Sequence, residues 1–508
     1  MLLTDWAVAV RTLSASGASD KAAEVATSRV KASSGVDVAP APIRPIQGDG
    51  CPKVSISQFG GISGTDCSAA LQRAIDHVEA TGGYDLRDST GAIEFGPGVW
   101  YINRILISKF GVRFVGAGKR ATLLANKHPT EPMVLIRQGD RSVTHVIADI
   151  SFENLQFRNT VHRADGAGFL IQGSAAERLL FSSVDFVSSA LAPDRNRTPL
   201  KCDFIRTDTF ESRWRDCNFW GILGCAIEIP DGPQSDTVMF DHCVWSYCTI
   251  AGAFGLGNRS GINGLYFQSC KVIGNQGGSY VAAGNDNFAH TTSVGTSVGI
   301  RIRVANPTNF RVNRAVVIGQ SAINAQYAFV RSVSGDTITL DRSVKVNDGD
   351  DIVHGQLGFV FGHTLSPRVQ SSQFEGCDVG LYVIDGRMIT LDSTVAVSCA
   401  RALLLNSEFR SLRLSMCIGA TIGTMKNGVA WQFITILNVA GSTNVIELDE
   451  TSAEGSGYYD GTPQSLVVNR SRYSIRISFL NRSTCSVRAD QTASDSAVTC
   501  LLVSPRLM

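Results

Sequence analysis

Nowhere do these 508 residues contain the roughly 18 consecutive apolar residues that a membrane-spanning helix requires, so no membrane insertion is expected. Charge of either sign is scarce and balanced, with 46 Lys plus Arg against 45 Asp plus Glu. A formal net charge of +1 leaves no long-range field to draw in nucleic acid or an anionic surface, which favours a neutral partner. The 13 cysteines include no C-x-x-C pair, and the 8 histidines show neither H-E-x-x-H nor zinc spacing, so no metal and no cofactor are expected. Their odd number and recurrent spacing read as reduced, buried small hydrophobes, which favours synthesis in a cytosol. The opening, MLLTDWAVAVRTLSASGASDK, lacks a basic leader and places Asp5 and Arg11 within or beside its short apolar run, which argues against a secretory signal peptide.

What the chain has in quantity is glycine, 49 residues, punctuating short apolar runs in a β-rich balance. Residues 1–47 combine an Ala/Ser-rich stretch with VAPAPIRPIQGDG, an extended linker, and read as a connector or adaptor. From Cys51 the texture changes. Ala70, Leu71, Ala74, Ile75 and Val78 fall at helical spacing before Gly82 and Gly83 stop the helix, and GAIEFGPGVWYINRILI, GVRFVGAG and ATLLAN follow as short strands.

The order of these pieces is specific: an FGG opening, a T-D-x-x-x-A-x-Q-x-A-I-D helix, a GG, a run built on F-x-P-G-x-x-Y-I and a V-x-G-x-G-like turn, over about residues 51–125. It resembles the entry of the pectate-lyase-like superfamily, most of all bacteriophage tailspike depolymerases. The resemblance implies an all-β, right-handed parallel β-helix, a solenoid with an N-terminal capping helix. It speaks for the fold more than for the reaction, because lyases, hydrolases and tailspikes share that entry.

Internal repetition supports a solenoid independently. ISFENLQFRNT, LLFSSVDFVSS, SRWRDCNFWGI, VMFDHCVWSYC and LYFQSCKVIGN align on anchors Phe152, Phe181, Trp214, Phe240 and Phe267, spaced by 29, 33, 26 and 27 residues. The series resumes at Val369, Leu391 and Leu414, spaced by 22 and 23. Three residues past the anchors stand Leu155, Val184, Cys217, Cys243 and Cys270, an interior ladder. A second run per coil (GFLIQ, DFIRT, AIEIP, GLYVI, ALLLN) indicates a further strand. These readings divide the chain into β-helix over 48–290, a small inserted β domain over 291–355, β-helix again over 356–435, and a C-terminal β cap or oligomerising region over 436–508. An independent insertion is expected to tolerate excision.

Equivalent residues on adjacent coils lie about 4.8 Å apart, so register predicts distances. Aligning DFIRTD with AIEIPD puts Asp208 over Asp231, 23 residues on, with Glu228 pointing outward between Ile227 and Ile229. Three crowded carboxyls suit glycoside hydrolysis, whose two carboxyls stand about 5 to 9.5 Å apart, and crowding raises one pKa to supply the acid. Asp at a strand end also caps turns, as at Asp385. Asp241, in VMFDHCVW, resembles the W-I-D-H segment of calcium-dependent pectate lyases, with Arg215 in the same column and Lys271 nearby to neutralise a uronate. No R-x-P-x-x-R follows, and the polygalacturonase set is missing apart from a Gly362-His363-Thr364 fragment. Strict alternation with Cys243 would turn Asp241 inward, so that site needs a local bend. Trp220 and Trp245 are candidates for stacking sugar rings, beside Phe219 and Tyr247. NDGDD at 347–351 reads as a polar hairpin turn before it reads as a calcium loop.

The expectation is a polysaccharide-binding, polysaccharide-degrading protein of the tailspike kind, a glycoside hydrolase on bacterial capsule, exopolysaccharide or O-chain. It is expected to be a homotrimer on a virion tail, joined to the tail or baseplate through its N-terminus. The alternatives are a secreted lyase or epimerase, and a non-catalytic receptor-binding adhesin.

Overall fold

The computed structural model describes residues 53–502, apart from 82–90, 109–110, 138–146, 192–198, 231–235, 258–260, 275–288, 320, 322, 398, 410, 422–431, 440–444, 450–451, 456–464, 470–474 and 481–497. The connector expected over 1–47 therefore lies outside the described residues. The helix Ser68–Thr81 forms where the spacing places it and buries Ala70, Leu71, Ala74, Ile75 and Val78. Asp66 starts it by accepting the Ser68 N–H at 2.9 Å. Gln72 and Glu79 then reach across to the backbone of Leu106 and Ser108, fixing the helix on the first coils.

Beyond it the chain is a right-handed parallel β-helix made of three parallel ladders. The first carries the anchors, which pair without a slip: Phe114, Phe152, Phe181, Trp214, Phe240, Phe267, Val369, Leu391, Leu414 and Leu448. Side chains of one kind on successive rungs stack. Ring centroids stand 4.8 Å apart at Phe114–Phe152, 5.0 Å at Phe152–Phe181, 4.0 Å at Phe181–Trp214 and 5.0 Å at Phe240–Phe267. Each such pair adds about 0.5–1.5 kcal/mol to the burial of its rings. A second ladder runs through Phe157, Phe186, Phe219, Trp245, Val272 and Phe374, and a third through Ile171, Ile205 and Ile227 and then Phe359, Leu381 and Leu403.

The coil turns between ladders at fixed positions. Two residues past the anchor, Asn154, Ser183, Asp216, His242, Ser269, Ser371, Ser393 and Met416 all have φ between 48° and 55°, in the left-handed region. Next in the chain come the ladder cysteines. Cys217, Cys243 and Cys270 are buried, and each thiol donates to the anchor carbonyl of the preceding coil, at 3.5, 3.3 and 3.5 Å. A small interior residue with a weak donor fits this slot, and Cys417 repeats it. All ten cysteines whose side chains are described are free and buried.

Between the coils of Phe267 and Val369 the chain builds a six-stranded antiparallel sheet: Ala289–Thr292, Ser297–Arg303, Ala315–Ile318, Gln326–Ser334, Thr337–Val346 and Asp351–Gly355. Its residues alternate between two cores. Val316, Ile318, Ala328, Val330 and Ile352 face a core of its own, whereas Ala315, Val317, Tyr327, Phe329 and Val353 join a cluster with Ala253, Leu357, Val360, Tyr382 and Leu404 of the third ladder. The outer column of that ladder changes character where the cover begins. It reads Gln172, Arg206, Glu228, then Ala253, Val360, Tyr382 and Leu404. The insertion is thus no independent decoration, because one face of its sheet and this column seal each other from water. The NDGDD segment is a polar turn, with Asp350 accepting the Asn347 N–H at 2.7 Å, but not the hairpin expected, because the strands it joins, Thr337–Val346 and Asp351–Gly355, pair with other strands and not with each other.

Toward the C-terminus the β region expected from 436 extends the same ladders. Val445–Asp449, Ile475–Leu480 and Val498–Leu502 pair in parallel, each on the one before.

Candidate functional site

At the uncovered end of the third ladder, the outer column, the insertion and the segment 160–168 enclose a cavity of about 300 Å³. The coil contributes Phe169, Gln172, Lys201, Asp203, Arg206 and Leu223, and the insertion Phe329, Asp341 and Arg342. Arg163 holds the segment in place. Its buried guanidinium donates to the carbonyls of Glu131 at 2.7 Å and Ala167 at 3.1 Å. Burial pulls its pKa below the ordinary arginine value.

Ion pairs tie the insertion to the coil across this cleft. Arg342 donates to Asp203 at 2.5 Å and to its neighbour Asp341 at 2.9 Å. Asp203 also accepts the Cys225 N–H at 2.9 Å, and Asp341 accepts that of Phe329 at 2.8 Å, so both carboxylates are aimed by backbone as well as charge. Asp165 takes Lys201 from one side and Arg331 of the insertion from the other.

Glu228 stands at the boundary of cleft and cover. The Tyr327 hydroxyl, from the insertion, donates to its carboxyl, and Arg206, its partner in register, approaches to 3.5 Å. Only 8% of the residue is exposed. Burial pushes the Glu228 carboxyl above the usual range, and the opposing pull of Arg206 and of the Tyr327 hydrogen bond does not cancel it. Burial likewise pushes the Tyr327 phenol well up, so it stays a donor.

The other expected residues fall as follows. Glu228 does point away from the coil interior, but it lies under the insertion and not on an open patch. Where the two strands pair, Ile205 meets Ile227 and Arg206 meets Glu228, an offset of 22 where the sequence alignment used 23, and Asp208 is half-buried on the same strand. The neighbour of Glu228 is therefore a cation, and Asp231 lies outside the described residues. Trp245 is no surface platform. It is wholly buried, stacked on Phe219 at 5.1 Å and 2°. Trp220, one residue from Phe219, alternates to the outside and is partly exposed, edge-on to Tyr247.

Asp241 is turned outward by the left-handed bend at His242, and accepts from that imidazole at 2.7 Å if Nδ1 carries the proton. Arg215 is its neighbour in register, one coil back. Lys271 lies past the bend on the second ladder, paired with Glu375 at 2.9 Å, and so does not serve Asp241.

Sequence reasoning missed Asp203, Arg206, Tyr327, Asp341 and Arg342. Arg206 was recoverable by aligning DFIRT with AIEIP one residue differently. The insertion's residues left no signal, since nothing in a polar alternating strand tells which surface it will meet. Among the described residues no group of three metal-ligating side chains converges, and no helix is long and apolar enough to cross a membrane.

No protein-family model matches the sequence, and no curated protein matches it. Among solved structures the chain is similar to PfbA, a surface adhesin of Streptococcus pneumoniae, at 10% identity over 85% of this chain and 91% of that one, with a TM-score of 0.50. A tailspike protein double mutant of E. coli bacteriophage HK620 aligns at 11% identity over 88% and 65%, TM-score 0.48. ORF18 of Geobacillus virus E2 aligns at 13% over 84% and 61%, TM-score 0.46, so the chain spans less than two thirds of the length of either phage protein. The likeness to the adhesin is one of fold, a parallel β-helix.

Proposed function

We propose that the chain binds a polysaccharide, one stretch of which lies in the cleft between the third ladder and the insertion. One observation carries the reading: the cavity of about 300 Å³ sets apolar surface from Phe169, Leu223 and Phe329 beside Gln172, Lys201, Arg206 and Asp203. That mixture suits a ligand with apolar ring faces and a rim of hydroxyls. The near-zero net charge of the chain adds no preference for a polyanion. Purified protein on an array of bacterial capsular and O-chain polysaccharides tests it. Retention of at least one glycan, weakened about tenfold or more by Arg206→Ala, is expected for the loss of a charged hydrogen bond. Binding by none sinks the reading.

Cleavage is a second reading, favoured by Glu228. A carboxyl whose pKa is raised by burial is the kind of group that can hold a proton and donate it to a glycosidic oxygen, and Asp203, held by Arg342, contributes to the same local field. New reducing ends would mark a hydrolase and ultraviolet-absorbing ends a lyase. Glu228→Gln should lower cleavage at least about a hundredfold with binding kept, and full activity in that variant removes Glu228 from the chemistry. In this reading the chain works as a homotrimer on a virion tail, attached through its N-terminal segment, since three solenoids side by side bury faces that one leaves open. Light scattering of the intact chain as a monomer at micromolar concentration counts against that assembly.

A further inference from the structure

A second feature of the coil surface bears on the same ligand. Where the chain turns out of the second ladder, the register of Phe219, Trp245, Val272 and Phe374 places Gly221, Tyr247, Gly274 and Gly376 in one column. Gly221 and Gly376 have φ of 67° and 64°, and Tyr247 has φ of 59° in the same left-handed region. Glycine adopts that conformation freely, whereas a Cβ there crowds the following carbonyl. Of these four positions, the one on the Trp245 coil carries a side chain, a bulky aromatic. Left-handed residues recur at the turns of this coil, so the conformation of Tyr247 marks a turn of the same kind.

Tyr247 is partly exposed and stands against Trp220 of the preceding coil, centroids 6.1 Å apart and planes at 87°. Their neighbours Phe219 and Trp245 fill the interior, so the alternation that buries those rings turns Trp220 outward. The two outer rings make an L-shaped apolar corner. Ser246, in register with Trp220, is half-buried and offers a polar group beside it. A pyranose ring presents a face of weakly positive C–H bonds edged by hydroxyls, complementary to the negative face of an aromatic ring with polar groups at its rim. The corner also adjoins the cleft. Leu223, three residues from Trp220, lines the cavity, and its strand Ile222–Leu223 pairs with Leu200–Lys201.

We infer that Trp220 and Tyr247 form a sugar-stacking subsite for one pyranose residue of the bound polysaccharide, next along the chain from the cleft. The inference rests on the polysaccharide reading above. Its test measures Kd for the full-length protein and for Trp220→Ala, Tyr247→Gly and Tyr247→Phe on the same array of capsular and O-chain polysaccharides, with Tm alongside. Wild type should bind, Trp220→Ala and Tyr247→Gly should weaken binding about tenfold or more, and Tyr247→Phe should keep it, because the ring and not the hydroxyl does the stacking. Tyr247→Gly should melt within a degree or two of wild type, since glycine suits the turn. Wild-type affinity in both truncated variants overturns the subsite and leaves the polysaccharide reading standing, whereas no binding by wild type overturns both. A Tm loss of several degrees in Tyr247→Gly assigns the ring to packing and overturns the subsite.

Discussion

Replacing Glu228 by Gln should make the fold more stable at neutral pH, and the gain should vanish in acid. The carboxyl is buried under Tyr327, and burial raises its pKa in the folded state. In the unfolded chain a glutamate titrates near about 4.3. Between that value and the raised one, the folded protein holds a proton that the unfolded chain has released. Stability from this group is therefore fully present below the unfolded value and is lost as pH rises through the folded one, by up to about 1.4 kcal/mol per pH unit for one proton. Glutamine keeps the acceptor for the Tyr327 hydroxyl and cannot ionise, so that slope disappears. A cooperative unit of roughly 450 residues unfolds with an entropy that converts 1 kcal/mol into about 1 °C of Tm. Melting curves of both proteins from pH 4 to 9 should coincide at the acid end and part by one to a few degrees, on the order of that conversion, at pH 8, with the variant higher. Tyr327→Phe, which removes the hydrogen bond that stabilises the anion, should leave the onset of the slope at the unfolded value and extend it to higher pH. Parallel curves for wild type and Glu228→Gln, or a variant that melts lower at pH 8, would refute the assignment of a buried carboxyl that resists ionisation.

Phe240→Ala removes a ring stacked between Trp214 at 5.6 Å and Phe267 at 5.0 Å. The expected loss is about 3–5 kcal/mol, read as a lower denaturation midpoint, and an unchanged midpoint would contradict the stack. Arg342→Ala leaves Asp203 and Asp341 facing each other without their shared cation, and about 3–5 kcal/mol should go with it, less the part that solvent screens. Arg342→Ala melting like wild type would show the cleft to be held by apolar contact alone. Replacing residues 289–355 by a short Gly/Ser loop should give insoluble or partly unfolded protein, because Ala253, Val360, Tyr382 and Leu404 lose their cover. A soluble product with native melting would restore the insertion to a removable decoration. Burial pushes the thiols of Cys248 and Cys417 up to about 12 and about 11. At pH 8 a thiol reagent should therefore find at most three of the 13 cysteines in the native protein, since ten are buried, and all 13 after unfolding. More than three rapid native reactions would exclude the interior ladder.

The solenoid itself was legible in the sequence, because a coil that repeats must reuse its interior. Phe152, Phe181, Trp214, Phe240 and Phe267 recur with only short-range pattern to declare them, and each pairs with the next in the structure. The helix Ser68–Thr81 and the ladder cysteines were legible for the same reason, since burial of one face imposes its period on the residues. The site was not. A shift of one residue in pairing puts Arg206 in place of Ile205 beside Glu228, and hydrophobic pattern does not fix register where a strand end is polar. Trp220 and Trp245 look alike in sequence, and only the paired strands turn one out to solvent and stack the other on Phe219. The contact of Tyr327 with Glu228 joins residues 99 apart. It exists only because the inserted sheet folds back on the coil that carries it, and the low dielectric beneath that cover sets the charge state of Glu228, a property that composition and spacing do not encode.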